Sequence, residues 1–120
     1  MPTRPSLSEK KLHPKVAEKI AGYHGDVIRE VEAAIAKDRV VVVGMAQNPH
    51  VKNVRRALKN AGVEFTYLEY GSYFSKWKER LAIKMWSGWP TFPQVFVDGT
   101  LIGGEDLTVA ALAEGAFAPA

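Results

Sequence analysis

The chain has 120 residues, 47% of them hydrophobic and 24% charged, which suits one folded domain with a modest core and excludes both a disordered polyelectrolyte and a multidomain assembly. Its formal charge of +3 comes from the first fifteen residues, where Arg4, Lys10, Lys11 and Lys15 outnumber Glu9; the other 105 carry 12 basic and 12 acidic side chains, so no nucleic-acid surface is expected. There is no cysteine, which removes disulfides, a thiolate nucleophile and sulfur ligation of zinc or an iron–sulfur cluster.

Residues 1–13 hold two prolines, several charges and no periodicity, and read as a flexible arm ahead of a domain over 14–115. From Pro14 the apolar residues Val16, Ile20, Tyr23, Val27, Val31, Ala34 and Ile35 recur at helical spacing, with Gly22 and Gly25 dividing the segment into two helices. The four valines Val40 to Val43, closed by Gly44, predict a strand buried on both faces and central in its sheet. Asn48 followed by Pro49 is a helix start, with Asn48 as N-cap and Pro49 in the first helical position. Val51, Val54, Ala57, Leu58 and Ala61 line one face of that helix, and Gly62 ends it.

Alternating, β-rich Val63 to Leu68 predicts a second strand, parallel to the first across the intervening helix. A loop from Glu69 to Phe74 leads to a helix over Ser75 to Met85, with Trp77, Leu81 and Met85 expected on its inner face. Gln94 to Val97 and Thr100 to Ile102, joined by Asp98-Gly99, read as a β-hairpin; a last helix over Asp106 to Ala113 follows, and residues 116–120 read as a frayed tail. The order predicts an α/β domain, a mixed four-stranded sheet with helices on both faces and a helical extension at the N-terminus. No apolar run reaches the length of a membrane span and the N-terminus lacks the apolar core of a signal peptide, so a cytoplasmic location is expected, without membrane contact.

Trp89-Pro90-Thr91-Phe92-Pro93-Gln94 before the hairpin and Gly103-Gly104-Glu105-Asp106 after it closely resemble the second half of the glutaredoxins, above all the monothiol glutaredoxins. There Trp-Pro-Thr-X-Pro-Gln precedes such a hairpin and Gly-Gly-X-Asp follows it. The likeness runs from about Asp26 to Gly115, with the loop from Glu69 to Trp77 long for the family. It implies the thioredoxin fold, which the element order supports independently, and a groove for glutathione.

The resemblance places the redox motif at the start of the second core helix, where a dipole and free N–H groups stabilise a thiolate. Family members read Cys-Gly-Phe-Ser or Cys-Pro-Tyr-Cys there; this chain reads Asn48-Pro49-His50-Val51. Asn48 thus occupies the nucleophile position, and an amide neither attacks a disulfide nor replaces a thiolate as cluster ligand. Thiol–disulfide exchange and iron–sulfur binding are expected to be absent, whatever the family's place in redox homeostasis. Asn48 reads either as a simple cap or as a polar group facing a ligand.

The rest of the implied glutathione site is better kept. Arg80, nine residues before Trp89, stands where monothiol glutaredoxins pair an arginine with a glutathione carboxylate, unless it is an ordinary exposed helix residue. Phe92 precedes Pro93, the family's cis-proline, which would turn the Phe92 backbone toward a bound peptide. Gly104, Glu105 and Asp106 would present backbone N–H groups and the Asp106 carboxylate to the γ-glutamyl end, or simply open a helix. The lysine that the family carries shortly before its cysteine is replaced by Met45 or Ala46, which Lys52 or Arg55 would only partly offset, so any glutathione affinity should be weak.

His13, His24 and His50 lack ligand spacing, and no metal site is expected; His50, close to a helix start, reads as a surface residue able to act as a local acid or base. Trp86 and Trp89, flanking Ser87-Gly88, are either rim aromatics or an exposed patch for a protein partner. Three functions compete: a binding protein that keeps the groove for glutathione or a partner's peptide, a glutathione-dependent transferase using no protein thiol, and a protein-binding scaffold.

Overall fold

A computed structural model describes residues 4–117. After a 3₁₀ turn at Glu9–Lys11 come α1 (Pro14–Gly22), α2 (Gly25–Lys37), β1 (Val40–Gly44), α3 (Pro49–Asn60), β2 (Thr66–Glu69), α4 (Trp77–Ser87), β3 (Gln94–Val97), β4 (Thr100–Gly103) and α5 (Glu105–Ala113). The sheet runs β2-β1-β3-β4, with β1 parallel to β2 and antiparallel to β3, and β3 antiparallel to β4. It is the expected mixed sheet, with β1 in its interior.

Because successive residues of a strand point to opposite faces, the valines of β1 divide between two cores. Val41 and Val43 pack with Val27 and Val31 of α2, Ile83 of α4 and Phe92 and Phe96. Val40 and Val42 pack with Val54 and Leu58 of α3, Val95 and Val97, and with Ala111 and Leu112 of α5. All four valines are buried, which is why the run shows no polar alternation. Gly44 ends β1 where α3 comes closest: an added Cβ would lie 2.7 Å from Val51 Cγ1 and 3.0 Å from the Tyr67 ring.

Asp98 and Gly99 both take positive φ, 50° and 79°, the primed geometry that suits a two-residue hairpin. β4 then runs into α5 at Gly103, where φ is 126° and a Cβ would sit 2.7 Å from Leu107 Cδ1. Only glycine permits so abrupt a passage from strand to helix.

Three expectations need correction. β2 begins at Thr66, not Val63, since the β1 row ends at the Val41–Thr66 pair and the Val63 N–H is already bonded to the Leu58 carbonyl at the end of α3. On α4, Trp77, Leu81 and Met85 lie outward, 58%, 39% and 48% exposed, while Arg80, Ala82 and Ile83 are buried. Two loop carbonyls draw Arg80 inward and set the rotation of the helix, a polar determinant that apolar spacing does not register. The end of the chain does not fray at residue 116: Phe117 is buried against Val40 and Val97, and its carbonyl accepts a 2.8 Å bond from Arg39 Nη1. Residues 118–120 of the expected tail, and 1–3 of the expected arm, lie outside the described residues.

Candidate functional site

β1 leads through buried Met45 and half-buried Ala46 to Asn48. Asn48 has extended backbone, and its Oδ1 accepts from the N–H groups of His50 at 2.9 Å and Val51 at 3.3 Å. Pro49 has no N–H, and that of Lys52 bonds the Asn48 carbonyl at 3.1 Å. The first turn of α3 is therefore fully satisfied from within. Asn48 is 8% exposed and acts as the cap that its sequence position predicts.

The Phe92–Pro93 bond is cis, as expected. Phe92 is buried with Met45 and Val51, so its loop lies beside the start of α3. That loop is organised by Gln94, whose side chain is fully buried and whose Nε2 donates to the Trp89 carbonyl at 3.0 Å and the Thr91 carbonyl at 3.4 Å. Gln94 is a supporting residue that the motif contained without revealing its task. On the far side of the loop, Gly104 is buried: a Cβ there would stand 3.5 Å from Trp89 Nε1 and 3.6 Å from the Pro93 carbonyl oxygen. No side chain caps α5, which begins at Glu105 against this loop with Asp106 exposed. Its first-turn N–H groups carry the positive end of the helix dipole.

Arg80 is not an ordinary exposed helix residue. It is 8% exposed, and its Nη1 donates to the carbonyls of Tyr70 at 2.9 Å and Ser75 at 2.6 Å, pinning the loop between β2 and α4. That loop in turn holds the approach to Asn48, since the Ala46 N–H donates to the Gly71 carbonyl at 2.7 Å. One turn along α4, the Lys84 ammonium stands 5.6 Å from the centre of the Phe92 ring, a nearby cation that sequence reasoning missed. Of the two residues expected to offset the missing lysine, Lys52 is exposed and Arg55 stacks on Tyr67, 3.9 Å from the ring centre.

His50 does more than occupy the surface. Its Nδ1 lies 2.6 Å from Glu105 Oε1, joining the first turn of α3 to the first turn of α5. Hydrogen bonds from His50 and, secondarily, from Asn53 hold the Glu105 carboxyl below the usual carboxylate range. The two residues are 55 apart in sequence, and only the packing of α3 on α5 brings them together. Trp86 lies against Phe96, ring centres 5.8 Å apart, and lines a cleft of about 320 Å³ with Ile20, Tyr23 and Met85, while Trp89 sits against Gly104. A larger hollow of about 760 Å³, lined by Asp38, Arg39, Val63 and Phe117 among others, lies at the opposite end of β1 from Asn48.

Among the described residues no group of histidine, cysteine and carboxylate side chains could hold a metal ion, and no helix is long and apolar enough to cross a membrane. With Asn48 Oδ1 committed to the helix and no thiolate available, the site does not fit an iron–sulfur cluster.

The glutaredoxin family model matches residues 40–102. A glutaredoxin-like protein of Dictyostelium discoideum is 57% identical over 115 residues, covering 96% of this chain and 93% of that one. A probable monothiol glutaredoxin of Legionella pneumophila is 33% identical over 64 residues, 53% of this chain and 68% of its own. Among solved structures, wheat glutaredoxin is 26% identical with a TM-score of 0.67, over 78% of this chain and 87% of that one. A buckwheat glutaredoxin–glutathione complex shares the fold at 19% identity, with a TM-score of 0.68 over 85% of this chain and 89% of that one.

Proposed function

The chain belongs to the glutaredoxin family, and on that premise we propose that it is a cysteine-less member whose groove binds glutathione, or an extended peptide segment of a partner, without thiol–disulfide exchange or cluster chemistry. The observation that carries this reading is the pairing of a retained peptide-binding frame with an absent nucleophile. The cis Phe92–Pro93 bond and the uncapped start of α5 stand side by side, in a chain with no cysteine.

In this reading the Phe92 N–H and C=O, which lie outside the β3 ladder, pair with the ligand backbone as an added strand. The N–H groups of Glu105 and Asp106 receive the γ-glutamyl carboxylate, and the Asp106 carboxylate meets its amine. Arg80 acts first by holding the loop from Tyr70 to Ser75; the remaining edge of its guanidinium meets the other carboxylate. Glutathione in the related buckwheat structure supports the ligand class.

The test is an NMR titration of labelled protein with reduced glutathione, following the amides of Phe92, Gly104, Glu105 and Asp106. Saturable shifts that are weakened in Asp106→Ala are expected; this exposed side chain is the suitable variant because removing Arg80 would also release the loop. Absence of shifts at millimolar glutathione would reject the ligand and leave the scaffold reading, in which Trp86 and its cleft meet a partner.

A further inference from the structure

The pair formed by His50 and Glu105 is not needed to cap α3, since Asn48 already satisfies its first turn. Its chemistry is that of an oriented base. The Glu105 carboxylate, held ionised by its hydrogen bonds, can only accept, so the hydrogen in the 2.6 Å contact belongs to His50 Nδ1. The neutral ring then carries its lone pair on Nε2, which has no partner among the described residues, on a side chain 64% exposed. The carboxylate opposite Nδ1 fixes the orientation of the ring and its tautomer. Glu105 on α5 is the charged group in bonding contact with His50, and the neutral Asn53 on α3 bonds the same carboxylate.

The same geometry removes two other candidates at the start of α3 for activating a thiol ligand. Asn48 is an amide and cannot take a proton. The first-turn N–H groups of α3 are spent on Asn48, and Pro49 has none to offer. His50, two positions after Asn48, is the side chain at the start of α3 that can take a proton.

We propose that His50 is the proton acceptor for a small thiol ligand bound in the groove, with Glu105 as its positioning residue. The inference rests on the glutathione reading of that groove. The ligand's S–H bond breaks, the proton passes to Nε2, and the electron pair stays on sulfur as a thiolate beside the imidazolium. The site thereby supplies from its ligand the nucleophile that the chain lacks, poised for attack on an electrophilic carbon. Iodoacetamide serves as the probe: the new S–C bond forms as iodide leaves.

Because the chain contains no cysteine, thiolate absorbance in a protein–glutathione mixture belongs to glutathione alone. The experiment uses the full chain saturated with reduced glutathione, occupancy being read independently from the Phe92 and Asp106 amides. The thiolate band is titrated against pH, and the alkylation rate is measured at pH 7. Bound glutathione should hold about tenfold more thiolate at pH 7 than free glutathione, the equivalent of one pKa unit, with alkylation faster in proportion. His50→Gln should abolish the gain while the amide shifts persist. Glu105→Gln should move the pH profile of the gain, and Glu105→Asp should restore part of it.

In the unsubstituted protein, the ¹⁵N resonance of His50 Nε2 should report protonation as the thiol ionises, independently of how any variant folds. Amide shifts with a thiol that titrates as in free solution would overturn the role of His50 and leave the groove standing. No amide shifts would overturn the groove reading and this proposal with it.

Discussion

Asn48 opens α3 beside the proposed groove, and its side chain is engaged as the cap. An N-cap that satisfies two backbone donors contributes about 1 kcal/mol relative to alanine. Asn48→Ala should therefore lower stability by about that amount in urea unfolding, and weaken hydrogen-exchange protection of the His50 and Val51 amides. A larger loss would mean that the side chain does more than cap. His50 and Glu105 show the complementary case, in which two residues ordinary in sequence become a pair because two helices start side by side. The link also affects acid stability. Glu105 titrates below its ordinary value of 4.5 in the fold, so its contribution is present above that value and lost as pH falls through the lower folded value. Glu105→Gln should flatten the acid limb of a stability–pH profile in that window, and leave the profile parallel to that of the unsubstituted protein at neutral pH.

Among the elements, α4 and the loop before it depend on a buried cation. Replacing Arg80 by Met keeps the length but leaves the carbonyls of Tyr70 and Ser75 without their donor, at a cost of about 2–4 kcal/mol for charge-assisted bonds. Urea unfolding should show that loss, and hydrogen exchange should quicken first in residues 71–75 and at Ala46, whose N–H bonds the loop. The hydrophobic pattern on α4 misled in an instructive way. Trp77, Leu81 and Met85 form a regular stripe, yet the helix turns Arg80 and Ile83 inward, because the buried arginine satisfies two loop carbonyls while large apolar side chains remain tolerable at a surface. α3 was the easier element to read, since Asn48-Pro49 and Gly62 mark its ends by local chemistry alone.

At the scale of the molecule, one sheet carries two cores, and Phe117 closes one of them. Phe117 completes the layer between α3, α5 and the sheet, and Phe117→Ala should cost about 3–5 kcal/mol in urea unfolding, near the upper range for a single truncation. The proposed groove lies at the other end of β1, so that variant should leave the glutathione-induced shifts expected at Asp106 intact under native conditions. Shifts lost along with stability would mean that the two ends of the sheet are coupled.

The family, the order of elements, the two-helix division at Gly22 and Gly25, the cap at Asn48, the Asp98-Gly99 hairpin and the absence of any thiol were determined by the amino-acid sequence. The family rests on the resemblance of the motifs on either side of the hairpin; each of the others rests on the chemistry of a residue and its near neighbours, or on periodicity along one element. The inward turn of Arg80, the support of the cis-proline loop by Gln94, the burial of Phe117 and the meeting of His50 with Glu105 were decided only by the tertiary structure. Each depends on which carbonyl, cavity or carboxylate a distant part of the chain presents, and no local pattern encodes that distance.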